Sequence, residues 1–195
     1  MFIESLNLSH FRIFKEVATS PDRHINLITG SNGSGKTSLL EAIYLLGFGR
    51  SFRPGGFRQL INEHADQFTI FCRTENHSIG VRRTTSGDQT LRLDNANATK
   101  MSEVARLVPV QLLTPESVDI LLEGPSLRRQ FLDWGVFHVE HSFYKNWVSY
   151  TQILKQRNSL LKQYSASATQ DKYWLEQLAY YGELISVSRE NYLKE

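Results

Sequence analysis

The 195-residue chain is 41% hydrophobic, enough for one good core or one core plus a small appendage. Its formal net charge is only +2 and no tail is charged: residues 1–110 carry 13 Lys and Arg against 10 Asp and Glu, and residues 111–195 carry 9 against 10. A single cysteine, Cys72, excludes an intrachain disulfide, and no apolar run nears the roughly 20 residues of a membrane span.

These features predict a cytosolic protein without a membrane partner, because Glu4 also interrupts the N-terminus as a signal peptide. Any nucleic-acid contact must then come from a folded patch. The first segment, "FIESLNLSHF", alternates imperfectly, as a strand with a bulge does. "HINLIT" (24–29) is a short apolar run suited to a central strand. "KTSLLEAIYLLG" places Leu39, Leu40, Ile43, Tyr44 and Leu46 at helical spacing, with Gly47 and Gly49 as the stop. "RSFRPGGF" (50–57) is a loop. "QFTIFCRT", "HSIGVRRTT" and "QTLRLD" read as three strands, the last two joined through residues 86–88 as a hairpin. Cys72, on the first of these, reads as a small buried side chain. "VPVQLLT" (108–114) is another short strand.

From Glu116 onward Gly and Pro are rare and the period is about 3.6. Phe143, Trp147, Tyr150, Leu154 and Leu161 form one stripe. A second helical pattern follows a polar break, "SASATQ" (165–170), so the two read as an antiparallel helical hairpin. The boundary falls between a lobe of residues 1–113 and a helical part of residues 114–195. The chain stops at "NYLKE" in mid-pattern, which predicts that the protein continues beyond it.

Residues 30–37, "GSNGSGKT", fit G-x-x-x-x-G-K-[ST] between a predicted strand and a predicted helix. A phosphate-binding loop needs that order, because backbone N–H groups and the helix dipole then face one point. Gly30, Ser31, Asn32, Gly33, Ser34, Gly35, Lys36 and Thr37 are the candidate ATP-binding residues, with the Ser38 N–H placed to reach an α-phosphate. Lys36 supplies a point charge, and the Thr37 hydroxyl suits Mg²⁺. Hydrolysis further needs an acidic strand end for the metal. No four apolar residues followed by Asp-Glu or Asp-Asp occur. Asp94 lies in a hairpin strand and Asp133 in a helical stretch, so neither suits that role.

The loop "GSNGSGKTSLLEAIYLLGFGRSFR" resembles that of the RecF, SMC and Rad50 group of ABC-type ATPases, and "LSHFRIFKE" (8–16) resembles the group's first strands. Residues 114–140 are similar to the RecF signature at Pro115, Glu116, Gly124, Pro125, Arg128, Arg129, Phe131, Leu132 and Asp133, while Ser117 and Val118 depart from it. The resemblance implies an α/β fold: an ABC-type P-loop lobe, with a mixed sheet containing antiparallel strands, before an α-helical subdomain. It implies ATP and Mg²⁺ as cofactors, an ATP-dependent homodimer, DNA at gaps or single-strand/double-strand junctions, and RecR and RecO-like partners in loading recombinase. It places the acidic strand end and the Leu-Ser-x-Gly-Gln-type signature outside these residues. The chain alone is then an ATP-binding piece with little turnover.

Arg12 follows Phe11 where the group keeps an arginine near the nucleotide; the bland alternative is an ion pair with Glu16. Arg50, Arg53 and Arg58, interleaved with Phe52 and Phe57, suit a DNA backbone with stacked bases. Arg128 is a further DNA candidate, while Arg129 sits four residues before Asp133 and is expected to pair with it. His138, Glu140 and His141 are expected to be surface side chains rather than metal ligands. Two other classes fit a phosphate loop. A small P-loop kinase would continue with βα units around a parallel sheet. An assembly module would use nucleotide only as a structural ligand.

Overall fold

A computed structural model describes residues 2–118, 122, 124–163 and 168–194. They form two compact units, Met1–Leu112 and Leu113–Glu195.

The first unit is a six-stranded sheet covered on one face by helices. Its strands are β1 (Ile3–Ser9), β2 (Glu16–Thr19), β3 (Gln67–Thr74), β4 (Ser78–Thr84), β5 (Gln89–Leu93) and β6 (Ala96–Ala98). They lie in the order β2-β1-β3-β4-β5-β6, every pairing antiparallel. The alternation read from "QFTIFCRT" holds: Phe68, Ile70 and Cys72 point into the core, and Thr69, Phe71 and Arg73 point away. The expected bulge in β1 falls between Ile3 and Ser5, where its register against β3 shifts. The expected hairpin joins β4 to β5. The next one, β5 to β6, escaped the sequence reading. Its turn is Asp94-Asn95 at φ 50° and 67°. A two-residue turn with both φ positive has the twist that antiparallel strands need.

Helix α1 (Lys36–Phe48) and helix α2 (Met101–Leu107) supply the other half of the core. Ala42, Leu45 and Leu46 pack with Leu6, Leu8, Ile70, Cys72, Ile79, Val81 and Val104. Leu40, expected on the apolar stripe, is largely exposed, and Glu41 is buried instead. Gly49 ends α1 in the left-handed region, φ 69°, its N–H donating to the Leu45 carbonyl. Gly47 does not end the helix. It lies inside α1, where a Cβ would come within 2.8 Å of the Val108 carbonyl oxygen.

Two expected strands are absent. Residues 24–29 pair with no strand, and Ile25 and Leu27 are each 87% exposed. Just before them Asp22 accepts the His24 N–H, and Asn26 accepts the Asp22 N–H, an Asx-type turn in place of a strand start. The six strands pair antiparallel with one another, and no parallel partner for residues 24–29 occurs among the described residues. Residues 108–114 likewise form no strand: Val108 is buried in the first core and Leu113 is exposed.

The second unit is helical: α3 (Pro125–Val139), α4 (Phe143–Gln163) and α5 (Ala168–Lys194), preceded by a 3-10 turn at Pro115–Val118. Pro125 stands in the first turn of α3, where its missing N–H costs nothing. Val136, Phe143 and Ile185 form the core, with Leu132, Phe137, Tyr150 and Tyr192 around it. α4 and α5 pack along each other. Trp147 and Leu161, expected on the buried stripe, are exposed. Of the polar break, residues 165–167 lie outside the described residues; residues 168–170 are already helical. Asp133 pairs in two-pronged fashion with Arg189 of α5, at 2.7 and 3.0 Å, and not with Arg129 as expected. A fork from another helix matches both carboxylate oxygens, which an i,i+4 neighbour rarely does.

Candidate nucleotide site

The loop of residues 30–35 enters α1 through two left-handed glycines. Gly33 has φ 82° and Gly35, the residue before the helix, has φ 95°. A side chain at either would be strained. Gly35 has a second constraint, since a Cβ there would run into the Phe14 ring and touch Ile13. Ile13 and Phe14 therefore wall the loop. The segment 8–16 was singled out in the sequence, but nothing in its pattern gave Ile13 or Phe14 this role.

Ser31, Asn32, Gly33 and Ser34 form the exposed crest of the loop. Lys36 folds back over it: its ammonium donates to the Gly30 and Ser31 carbonyls, both at 2.7 Å. Thr37 is exposed in the first turn of α1, and Ser38 is buried beside it. The donor set fits a polyphosphate. It offers backbone N–H groups at a helix N-terminus, one ammonium, and glycines that leave the approach open. Thr37 is the residue whose hydroxyl would hold Mg²⁺.

Arg12 is held close by. Its φ is 55° and that of His10 is 53°, both unusual for side-chain-bearing residues. Asn62 fixes this turn, donating its side-chain N–H to the Arg12 carbonyl at 2.7 Å and its backbone N–H to the His10 carbonyl at 2.8 Å. The Arg12 guanidinium forms a fork with Glu41 of α1, at 2.9 and 2.6 Å. The alternative partner, Glu16, is not used. Glu41 also accepts the Ser51 hydroxyl and lies 3.8 Å from Arg53. One buried carboxylate thus joins the turn beside the phosphate loop, the helix after it, and the loop after that helix. Spacing alone placed Glu41 among polar helix positions, so nothing in the pattern marked it.

The DNA candidates are spread differently from the expectation. Arg50 is exposed. Arg53 turns inward to Glu41. Arg58 donates to the Thr85 carbonyl at 3.1 Å. Phe52 packs edge-on against Tyr44, and Phe57 lies under the Arg83 guanidinium at 4.0 Å. Both aromatics of this loop thus contact neighbouring side chains of the fold. Arg128 belongs to the second unit, exposed on the first turn of α3.

Among the described residues no three His, Cys, Asp or Glu converge as a metal site. His138 is packed rather than superficial, its ring edge-on to Trp134 and Phe137. Glu140 accepts the Ser142 N–H and hydroxyl, which hold its carboxyl below the usual range. Asp94 is lowered in the same way, first by the His77 ring at 2.7 Å and then by the Ser78 N–H. Cys72 is buried as expected, and burial pushes its thiol up to about 11.

Comparison with known proteins places these features in a family. The family described as RecF/RecN/SMC N terminal domain matches residues 2–124. The DNA replication and repair protein RecF of Idiomarina loihiensis is 75% identical over 178 residues, covering 91% of this chain and 50% of that protein. RecF of Shewanella frigidimarina is 41% identical over 197 residues, 99% of this chain and 54% of that protein. The chain thus spans about half the length of the curated relatives it matches. A solved structure of the recombination mediator protein RecF with ATP, in the RecFOR pathway, superimposes with a TM-score of 0.83 at 28% identity. It covers 99% of this chain and 54% of that one. An SMC ATPase structure, 22% identical with a TM-score of 0.54 over 67% of this chain and 96% of that one, shares the fold.

Proposed function

The chain belongs to the RecF/RecN/SMC N-terminal domain family, and from that premise we propose that it is the ATP-binding portion of a RecF-type DNA replication and repair protein. The observation that carries the reading is the loop itself. Left-handed Gly33 and Gly35 deliver an exposed crest to the N-terminus of α1, with Lys36 poised over it. Gly30 to Ser38 hold the phosphates, Thr37 holds Mg²⁺, and bound Mg²⁺ would neutralise phosphate charge. Arg12 orients beside the loop through Glu41. Residues 1–113 serve as this nucleotide lobe and residues 114–195 as a helical subdomain.

In the whole protein, ATP binding drives homodimerisation, and the dimer acts at gapped DNA with RecR- and RecO-like partners to load recombinase. Arg50, Arg53, Arg58 and Arg128 remain candidates for phosphate contact there. The family membership and the RecF–ATP likeness support this reading over a small kinase, and so does the antiparallel meander, which has no room for the βα units of a kinase core. No helix among the described residues is long and apolar enough to cross a membrane.

Calorimetric titration with Mg-ATP tests the reading. Lys36→Ala is expected to abolish the heat of binding while leaving the circular dichroism spectrum unchanged. Equal affinity in the variant and the parent chain would overturn it.

A further inference from the structure

The helical unit carries no part of the phosphate loop, yet its surface is hollowed. A cavity of about 390 Å³ opens where α3 ends, α4 begins and the last turns of α5 pass beside them. That volume falls within the range of small-ligand sites, about 300–1,000 Å³. Its apolar lining is Val139, Leu184 and Val187, of which Val139 is 55% and Val187 43% exposed. Apolar side chains left open in a concavity gain from any alkyl chain laid on them.

Three polar side chains join this lining, each from a different element. Glu140 stands in the α3–α4 connection, Asn146 on the first turn of α4 and Asn191 on the last turn of α5. The Ser142 N–H and hydroxyl both donate to Glu140 Oε1, at 2.9 and 3.0 Å, which leaves Oε2 open. The same two bonds hold the carboxyl below its usual range, so it is charged at neutral pH. Neither the Asn146 nor the Asn191 amide makes a hydrogen bond among the described residues. No cation lines the cavity. Arg189, beside the lining residue Ser188, is spent in its fork with Asp133, and the exposed His141 and Lys145 are not part of the lining. Glu183 and Glu190 are exposed next to the α5 wall. Tyr173 and Tyr180, 57% and 60% exposed, precede Val187 at seven-residue steps, so the same face of α5 continues away from the cavity.

We infer that this cavity receives a lysine or arginine side chain from a basic, extended segment of another protein, laid along α5. The cation meets Glu140 Oε2, its alkyl stem covers Val139, Leu184 and Val187, and the two open amides bond the segment's backbone. The amides decide for a peptide over a free polyamine. Each both donates and accepts, as a peptide group does, whereas a polyamine carries ammonium donors only and would leave the Asn N–H groups unmet. Charge decides for a basic segment over an acidic one, since Glu140, Glu183 and Glu190 all border its path. Tyr180 and Tyr173 offer ring faces to further basic side chains of the same segment.

The test is a two-dimensional amide NMR titration of the 195-residue chain with three probes: the capped peptide Ala-Lys-Ala-Lys-Ala, its counterpart with Glu for Lys, and spermidine. The side-chain NH₂ signals of Asn146 and Asn191 report occupancy. The lysine peptide is expected to shift both saturably, with a dissociation constant below about 5 mM, and to bind more tightly than the other two probes. Glu140→Gln keeps an oxygen for Ser142 and removes the charge, so it should weaken the lysine peptide about three-fold or more. Asn191→Leu should weaken it about as much and leave spermidine unaffected. Absence of shifts at both Asn residues, equal binding of the glutamate peptide or of spermidine, or unchanged affinity in both variants overturns the inference. The cavity lies wholly within the second unit, so Mg-ATP titration of the same preparations separates this failure from failure of the nucleotide reading.

Discussion

Glu41 has no exposed side-chain surface, and a buried carboxylate is tolerated only when its charge is met. Here Arg12 supplies a fork, Ser51 a hydroxyl and Arg53 a second positive charge. Glu41→Gln removes the charge and leaves Arg12 without an anion at 16% exposure. The expected loss is about 3 kcal/mol in urea unfolding, at the lower end for broken buried pairs. A loss below about 1 kcal/mol would show that water satisfies these arginines. Cys72 is the second residue with a readable consequence. Its thiol is neutral when protonated, and burial raises its pKa from 9.0 to about 11. The native state therefore holds the proton more tightly than the unfolded chain. This contribution is complete below pH 9 and is lost as pH rises toward 11, up to about 3 kcal/mol. Cys72→Ala should flatten the stability profile over that window; an unchanged slope would mean that the thiol is solvated. The burial of Cys72 was legible from strand alternation. That of Glu41 was not, because helical spacing sorts charged residues to the surface and carries no record of partners 10 or 29 positions away.

At the scale of elements, local pattern succeeded where each strand pairs with its neighbour in sequence. β3, β4 and β5 follow from alternation, and the irregularity in β1 follows from its broken alternation. β2 and β6 were missed because they are four and three residues long, too short for a period to show. The opposite error befell residues 24–29. Their apolar run carries the composition of a buried strand, but composition cannot supply a neighbour, and Ile25 and Leu27 face solvent. Exposed apolar side chains on a segment that pairs with no strand invite association with other chains. Ile25→Asp with Leu27→Asp should therefore lower concentration-dependent association in sedimentation velocity and leave unfolding free energy within about 0.5 kcal/mol. A stability loss above about 1 kcal/mol would show that the segment packs.

At the scale of the molecule, the two units divide the chemistry. The glycine loop, Lys36, Arg12 and the Glu41 network all fall within Met1–Leu112, and the helical unit contributes Arg128 and its own small core. The phosphate loop was legible because its chemistry is local: glycines, a lysine and a helix start lie within about ten residues, although the strand expected before them is absent. The sequence has no four apolar residues followed by Asp-Glu or Asp-Asp, the pattern of a Mg²⁺-binding strand end. The chain alone should therefore bind Mg-ATP yet release phosphate at a rate indistinguishable from buffer in a coupled assay. Turnover that Lys36→Ala abolishes would locate a catalytic acid within these 195 residues.

Gly47 carries a consequence for anyone who would engineer the protein. Replacing a mid-helix glycine with alanine is among the safest ways to raise the melting temperature, worth about 1 kcal/mol in an open helix. In α1 that route is closed, because the added methyl would displace the Val108 carbonyl and the Val110 side chain. The helix that carries the phosphate loop keeps a weak point so that a backbone can lie against it, and thermostable variants will have to be sought elsewhere in the chain.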